Sequence, residues 1–201
     1  MISTEAKAHL SKDPRLKKLL DTLDVQIPVT DQDVYFYLIR SIVFQQLSGK
    51  AASTIFGRFL ELFPDGYPYP DDILALDIPE LRAVGLSKQK ASYIQNVAEF
   101  FKIHQLEKKD WNALSDEEII TFLTQIKGVG KWTVQMILMT TLQRADVFPT
   151  NDLGIQKGIQ RLYGLEEKGK ALINRMNEIA GPWRPYRSIA CFYLWRSLDA
   201  K

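Results

Sequence analysis

Apolar residues recur at three- and four-residue spacing along most of the chain, the period of a helix with one buried face. Residues 5–22 read as a short amphipathic helical segment. Residues 32–47 carry the run Val34 to Ile39 and then Ile42 to Phe44, too long for an ordinary strand and read as a buried helix. Gly49 separates it from a helix over 50–63, with Ala52, Ile55, Phe56, Phe59 and Phe63 on its apolar side. Three prolines and a glycine make 64–70 a loop. Short helices are expected over 71–76 and 79–84, and a longer one from Ser87 to about 104.

Ser115-Asp116-Glu117-Glu118 is a capping-box pattern before another apolar helix. That helix runs into Gly128-Val129-Gly130, and a second apolar helix, 131–143, leaves it. Asn151 or Thr150 is a candidate cap for a helix over 152–162, which Gly164 ends. Helices over 167–180 and from Pro185 to about 198 complete the chain. No period-2 strand hairpin is present, so the expected fold is all-α. Leu81 to Lys88 faintly echoes Ile126 to Lys131, with one glycine in place of two, and reads as a helix–turn–helix joint.

The 201 residues suffice for one large domain or two intimately packed small ones. No apolar run approaches a membrane span, and no signal-peptide pattern opens the chain, so no membrane partner and a cytoplasmic location are expected. A single cysteine, Cys191, leaves no intrachain disulfide framework and no cysteine-ligated iron–sulfur cluster or zinc finger. His9 and His104 lie in no metal-ligand pattern. A net charge of +2 does not announce a nucleic-acid binder. Lys127, Lys131, Arg144, Lys157 and Arg161 nevertheless flank the glycine turn and the segment after it, so a local basic face is as open as an ordinary charge mosaic.

The chemistry centres on Gly128-Val129-Gly130 and on Phe148-Pro149-Thr150-Asn151-Asp152. Two glycines allow a tight hairpin whose amides stay uncovered at a helix N-terminus, a ready anion site for which a DNA backbone is a natural ligand. Asp152 follows as one carboxylate after a proline-containing loop. On that segment alone Asp152 is more readily a helix N-cap or first-turn acid than a catalyst.

Four motifs in order carry a specific resemblance: Phe44-Gln45-Gln46-Leu47-Ser48, Ile126 to Thr133, Val147 to Asp152, and Trp183 to Ser188 with Trp195. Together they resemble the helix-hairpin-helix DNA glycosylases, and within them the 3-methyladenine DNA glycosylase II branch. The match spans Asp31 to Leu198. It implies two packed helical subdomains with the active site in the cleft between them. Residues 1–30 would be an N-terminal helical extension, 31–201 the glycosylase domain, and 48–145 its middle subdomain.

The implied activity is base excision: hydrolysis of the N-glycosidic bond of alkylated purines flipped from double-stranded DNA, such as 3-methyladenine and 7-methylguanine, leaving an abasic site. Asp152 aligns with the family's catalytic aspartate, and a fixed carboxylate stabilises the positive charge that grows on the sugar. Trp132 stands where the bifunctional branch has its attacking lysine, so strand cleavage is not expected. Lys131 stands one residue earlier, turned by roughly 100°. Trp132 and Trp195 match aromatic base-pocket positions, suited by cation–π attraction to a cationic purine. For Tyr35, Phe44 and Tyr186 the core reading stays ahead of the pocket reading, and Met136 replaces an aromatic residue of the relatives.

Leu47 matches the wedge that fills the space of the flipped base, with Gln46 beside it. The amides of Gly128 and Gly130 and the Thr133 hydroxyl match phosphate contacts. The carbonyls of Thr124, Ile126 and Gly128 match a site for a monovalent cation, Na+ or K+, and no cofactor is required. A monomer is expected, placed at the bacterial nucleoid or, in a eukaryote, in the nucleus. Two other readings stay open: a glycosylase for uncharged lesions such as hypoxanthine or ethenoadenine, and a non-catalytic module that binds damaged DNA.

Overall fold

The computed structural model describes residues 2–28 and 33–199, and the expectations on Asp31 and Gln32 lie outside them. The described residues are helical, with no strand among them, as the periodicity predicts. They form two compact units, 30–137 and 1–29 together with 138–201.

In the unit 30–137, α3 (Val34–Phe44), α4 (Gly49–Leu60), α5 (Pro70–Ala75), α6 (Ile78–Ala83), α7 (Lys88–Ile103) and α8 (Asp116–Leu123) precede the start of α9 (Lys131–Thr140). The long helix α7 is the hub, packed against α3, α5 and α6. Its buried positions Ala91, Ile94, Val97, Ala98 and Phe101 follow the helical period. Asp33 caps α3 and both expected signals at α8, the Ser115 cap and the Glu118 return bond, are formed.

The other unit joins α1 (Thr4–Leu10) and α2 (Pro14–Thr22) to α10 (Leu153–Tyr163), α11 (Gly169–Ala180) and α12 (Arg187–Asp199). Here α12 packs on α10 and on α2. Trp183, Tyr193, Leu10 and Leu16 are among its fully buried side chains.

Several boundaries differ from the pattern-based reading. The expected helix 5–22 is two, because Ser11 closes α1 and Asp13-Pro14 restarts the chain as α2. Residues 1–30, expected as an extension, contribute buried Ala6, Leu10, Leu16 and Leu20, with α2 packed on α10 and α12 and α1 on α2. The middle subdomain, expected over 48–145, is a unit over 30–137, since α3 packs on α4 and α7. Pro185 lies before α12 rather than in its first turn, after a cis Arg184–Pro185 bond.

Candidate active site

Asp152 is itself the N-cap of α10, in place of the expected Asn151 or Thr150. Its Oδ1 accepts the Ile155 amide at 2.8 Å and the Trp195 indole N–H at 2.8 Å. The two bonds fix the carboxylate at a helix N-terminus, where the exposed amides favour negative charge. Trp195 reaches it because α10 and α12 approach closely at glycines. A Cβ on Gly158 would stand 3.0 Å from Leu194 Cβ, and one on Gly154 would stand 2.7 Å from Trp195 Cδ1 and 3.0 Å from Asp152 Oδ1. Gly154 is thus the floor on which the indole and the carboxylate meet.

The loop that delivers Asp152 is tied to the Trp183–Ser188 motif. The Arg187 guanidinium donates from Nε to Asp146 Oδ1 at 2.6 Å and from Nη2 to Oδ2 at 3.0 Å, and Arg184 Nη1 donates to Oδ2 at 2.8 Å. Buried Ser188 donates to the Arg144 carbonyl at 2.6 Å and accepts the Val147 amide at 2.9 Å. Closer to the acid, Asp152 N bonds Pro149 O at 2.9 Å and Gln156 Nε2 bonds Thr150 O at 2.8 Å. Much of this motif's regularity therefore serves to hold a loop.

Trp195 also borders a concavity of about 550 Å³ with Phe192, Thr140 and Arg196. Cys191 is fully buried one turn earlier, and desolvation, with the Asp152 charge second, pushes its thiol well above the ordinary value. It is a core thiol, as its apolar surroundings predict. Tyr186 packs edge-on to His9 and is only partly buried, so it is not one of the core residues.

In the unit 30–137, Gly128 has φ +108°, in the left-handed region. A Cβ there would stand 2.4 Å from Tyr93 Cγ, so both backbone and space require glycine. Gly130 is different. It is exposed, precedes α9, and has nothing within 4 Å of a Cβ. The fold leaves room for a side chain there, and its absence keeps the helix N-terminus open.

The turn is held from outside by two amides. Gln45 Nε2 donates to Gly128 O at 3.3 Å and Asn96 Nδ2 to Lys127 O at 3.1 Å. Gln45 follows directly from α3, whose end is fixed by Lys90 Nζ on Val43 O at 2.8 Å. Gln46 then takes φ +58°, and Leu47 emerges 39% exposed. An apolar side chain presented at a turn is the form a wedge needs. Sequence reasoning passed over Gln45, although it stands inside the motif that names Gln46 and Leu47.

Of the remaining candidates in this unit, Lys131 is exposed and Trp132 is 47% exposed. Thr133 is only 5% exposed, which leaves its hydroxyl little surface for a phosphate. Trp132, Thr133 and Met136 border a cavity of about 420 Å³ with Phe44, Gln46 and Arg40. Phe44 joins the pocket, while buried Tyr35 borders a different cavity. Arg40 was not foreseen. Its guanidinium sits 4.2 Å from the Phe44 ring centroid and takes that face for itself.

The carbonyls proposed for a cation are partly engaged. Ile126 O accepts Val129 N at 3.0 Å, and Gly128 O accepts Gln45 Nε2. Each carbonyl keeps a second lone pair, so the oxygen donors remain chemically suited to a monovalent ion.

Known proteins share the sequence and fold of this chain. Residues 39–185 match the model of the HhH-GPD superfamily base excision DNA repair proteins, and the chain belongs to that family. The DNA-3-methyladenine glycosylase 1 of Schizosaccharomyces pombe is 36% identical over 201 residues, covering 96% of this chain and 87% of that protein. A solved DNA-3-methyladenine glycosidase of Bacillus halodurans superposes with a TM-score of 0.86 at 36% identity, covering 98% of this chain and 90% of the other. The S. pombe 3-methyladenine DNA glycosylase in complex with abasic DNA superposes with a TM-score of 0.80 at 35% identity, covering 98% and 97%.

Proposed function

We propose that this protein is a base-excision repair DNA glycosylase that removes alkylated bases from double-stranded DNA, with Asp152 as the catalytic carboxylate. The observation that carries the reading is the position of Asp152, held by Ile155 N and Trp195 Nε1 at the start of α10. Breaking the bond between sugar and base moves positive charge onto the sugar. A carboxylate already oriented by two donors stabilises that charge without reorganising, the effect that most often dominates such catalysis. The electron pair of the breaking bond leaves with the base, so a cationic alkylated purine departs neutral; water then bonds to the anomeric carbon and gives up a proton to solvent.

Leu47, with Gln46, fills the stack vacated by the flipped nucleotide. The open amides at Gly130 and the exposed Lys131 grip phosphate. A monovalent cation held at Thr124, Ile126 and Gly128 would add positive charge near that phosphate. Trp132 offers a ring face to the base and no amine, so the enzyme is monofunctional and leaves an abasic site. The protein acts as a monomer.

One observation favours a second reading of the substrate. Arg40 brings a fixed positive charge to the cavity beside Trp132, and among the described residues no carboxylate borders that cavity. Such a charge disfavours a cationic purine and tolerates an uncharged lesion such as hypoxanthine or ethenoadenine.

Duplexes carrying 3-methyladenine, 7-methylguanine, hypoxanthine or ethenoadenine, assayed side by side with mass identification of the released base, decide between the two. Release of none of them overturns the enzymatic reading. Strand nicking without alkali overturns the monofunctional one.

A further inference from the structure

The unit 30–137 holds another cavity, of about 290 Å³, that the base-excision reading does not use. Tyr35, Tyr67, Tyr69 and Trp111 contribute aromatic walls, and Asp33 and Glu107 contribute carboxylates. The rings are packed into a continuous surface. Tyr67 and Tyr69 centroids lie 4.6 Å apart, and Tyr35 lies 6.2 Å from Tyr67 and 5.0 Å from Phe101.

Asp33 is already occupied as an acceptor. Its Oδ2 accepts the Tyr67 hydroxyl at 2.6 Å and its Oδ1 caps α3 through Phe36 N at 2.7 Å. The Tyr35 hydroxyl is different. The residue is 5% exposed, and its buried oxygen has no hydrogen-bond partner among the described residues. Burial pushes that phenol well above the ordinary tyrosine range, and the fields of Tyr67, Asp33, Asp72 and Glu107 push it the same way. Tyr35 lines the same cavity as both carboxylates, Asp33 and Glu107. A purely structural aromatic cluster has no use for an unpaired buried hydroxyl beside two acids.

We propose that this cavity binds an aliphatic primary ammonium ion. Ring faces attract the cation, the carboxylates compensate its charge, and one N–H donates to the Tyr35 oxygen after a small shift of that side chain uncovers it. The methylene chain lies against Tyr69 and Trp111. A quaternary ammonium brings charge but no N–H, an alcohol brings hydrogen bonds but no charge, and an anion is repelled. With two carboxylates at the rim, an α,ω-diamine is the best-matched member of the class.

The test is a backbone-amide NMR titration of the intact protein with 1,4-diaminobutane at neutral pH. Tetramethylammonium and 1,4-butanediol are titrated in parallel at constant ionic strength. The diamine is expected to give saturable shifts confined to residues near 33–36, 67–70 and 106–111. Tetramethylammonium should bind about tenfold more weakly and butanediol not measurably. Glu107→Gln changes an exposed residue, and Tyr35→Phe keeps the ring. Each should weaken the diamine about fivefold while the amide spectrum stays folded. Base release by Glu107→Gln should equal that of the unaltered protein, which separates this site from the proposed activity. Equal binding of butanediol, non-saturating shifts spread over the acidic surface, or unchanged affinity in both variants would each overturn the proposal.

Discussion

Trp195 donates its indole N–H to Asp152 Oδ1 at 2.8 Å, so a residue expected to line a base pocket is also the partner that orients the acid. The bond spans 43 residues of sequence and depends on α10 and α12 meeting at Gly154 and Gly158. It bears on both the helix-cap role of Asp152 and its proposed catalytic role.

Asp152→Asn keeps an oxygen for Ile155 N and Trp195 Nε1 but removes the negative charge. Single-turnover base release is expected to fall by about 10²–10³ or more, while thermal stability changes little. Asp152→Ala loses both, and should add a destabilisation of about 1 kcal/mol. Base release unchanged in Asp152→Asn would remove Asp152 from the mechanism.

Trp195→Phe removes the donor while filling most of the space. Gly154→Ala instead pushes a methyl group against the indole, 2.7 Å from Cδ1 before relaxation. Both should lower the single-turnover rate by about tenfold with duplex affinity nearly unchanged, because a displaced carboxylate is felt in the transition state. An equal loss of affinity would indicate that Trp195 acts on DNA rather than through Asp152.

The two hairpin glycines should respond in opposite ways. Gly128→Ala meets both a φ of +108° and the Tyr93 ring, so a loss of stability of at least about 2 kcal/mol is expected in chemical denaturation. Gly130→Ala meets open space and should lose under about 1 kcal/mol. Its defect should appear in duplex binding, measured by fluorescence anisotropy, since the new methyl group stands where a phosphate would approach.

Asp13 makes part of the stability depend on pH. Burial alone raises its pKa, but hydrogen bonds from the Tyr163 hydroxyl, Trp183 Nε1, Leu16 N and Arg15 N outweigh it and bring the folded value below 3.8. An unfolded aspartate titrates near about 3.9. The stabilisation is therefore complete above that value and is lost as pH falls through the lower folded value. Asp13→Asn should be less stable by about 1 kcal/mol at pH 7, solvent screening keeping the effect of this partly exposed group small, with the gap to the unaltered protein closing on acidification. Denaturation curves at several pH values measure it.

Leu47→Ala should leave stability nearly unaltered, because the side chain is already 39% exposed. Excision from duplex DNA should drop several-fold, roughly 1 kcal/mol or more of lost stacking replacement, while a single-stranded substrate is affected less.

Much of this protein was legible along the chain. Helical periodicity, the Ser115 capping box, Gly164 and the glycine turn are local signals, set by residues a few positions apart, and they predicted an all-α chain with a helix–turn–helix at 126–133. The four motifs carried the family. What local pattern could not carry was the reason for the motifs. Arg184, Arg187 and Ser188 hold Asp146 and Val147, Gln45 holds Gly128, and Asp13 is shared by Tyr163 and Trp183. Each is a bond across tens of residues, invisible until helices pack. The sequence alone determined which helices exist and which residues are chemically able to act. Only tertiary packing decided that Asp152 would be caught between an amide of its own helix and an indole of another, because a carboxylate's orientation is set by donors that the chain brings together in space.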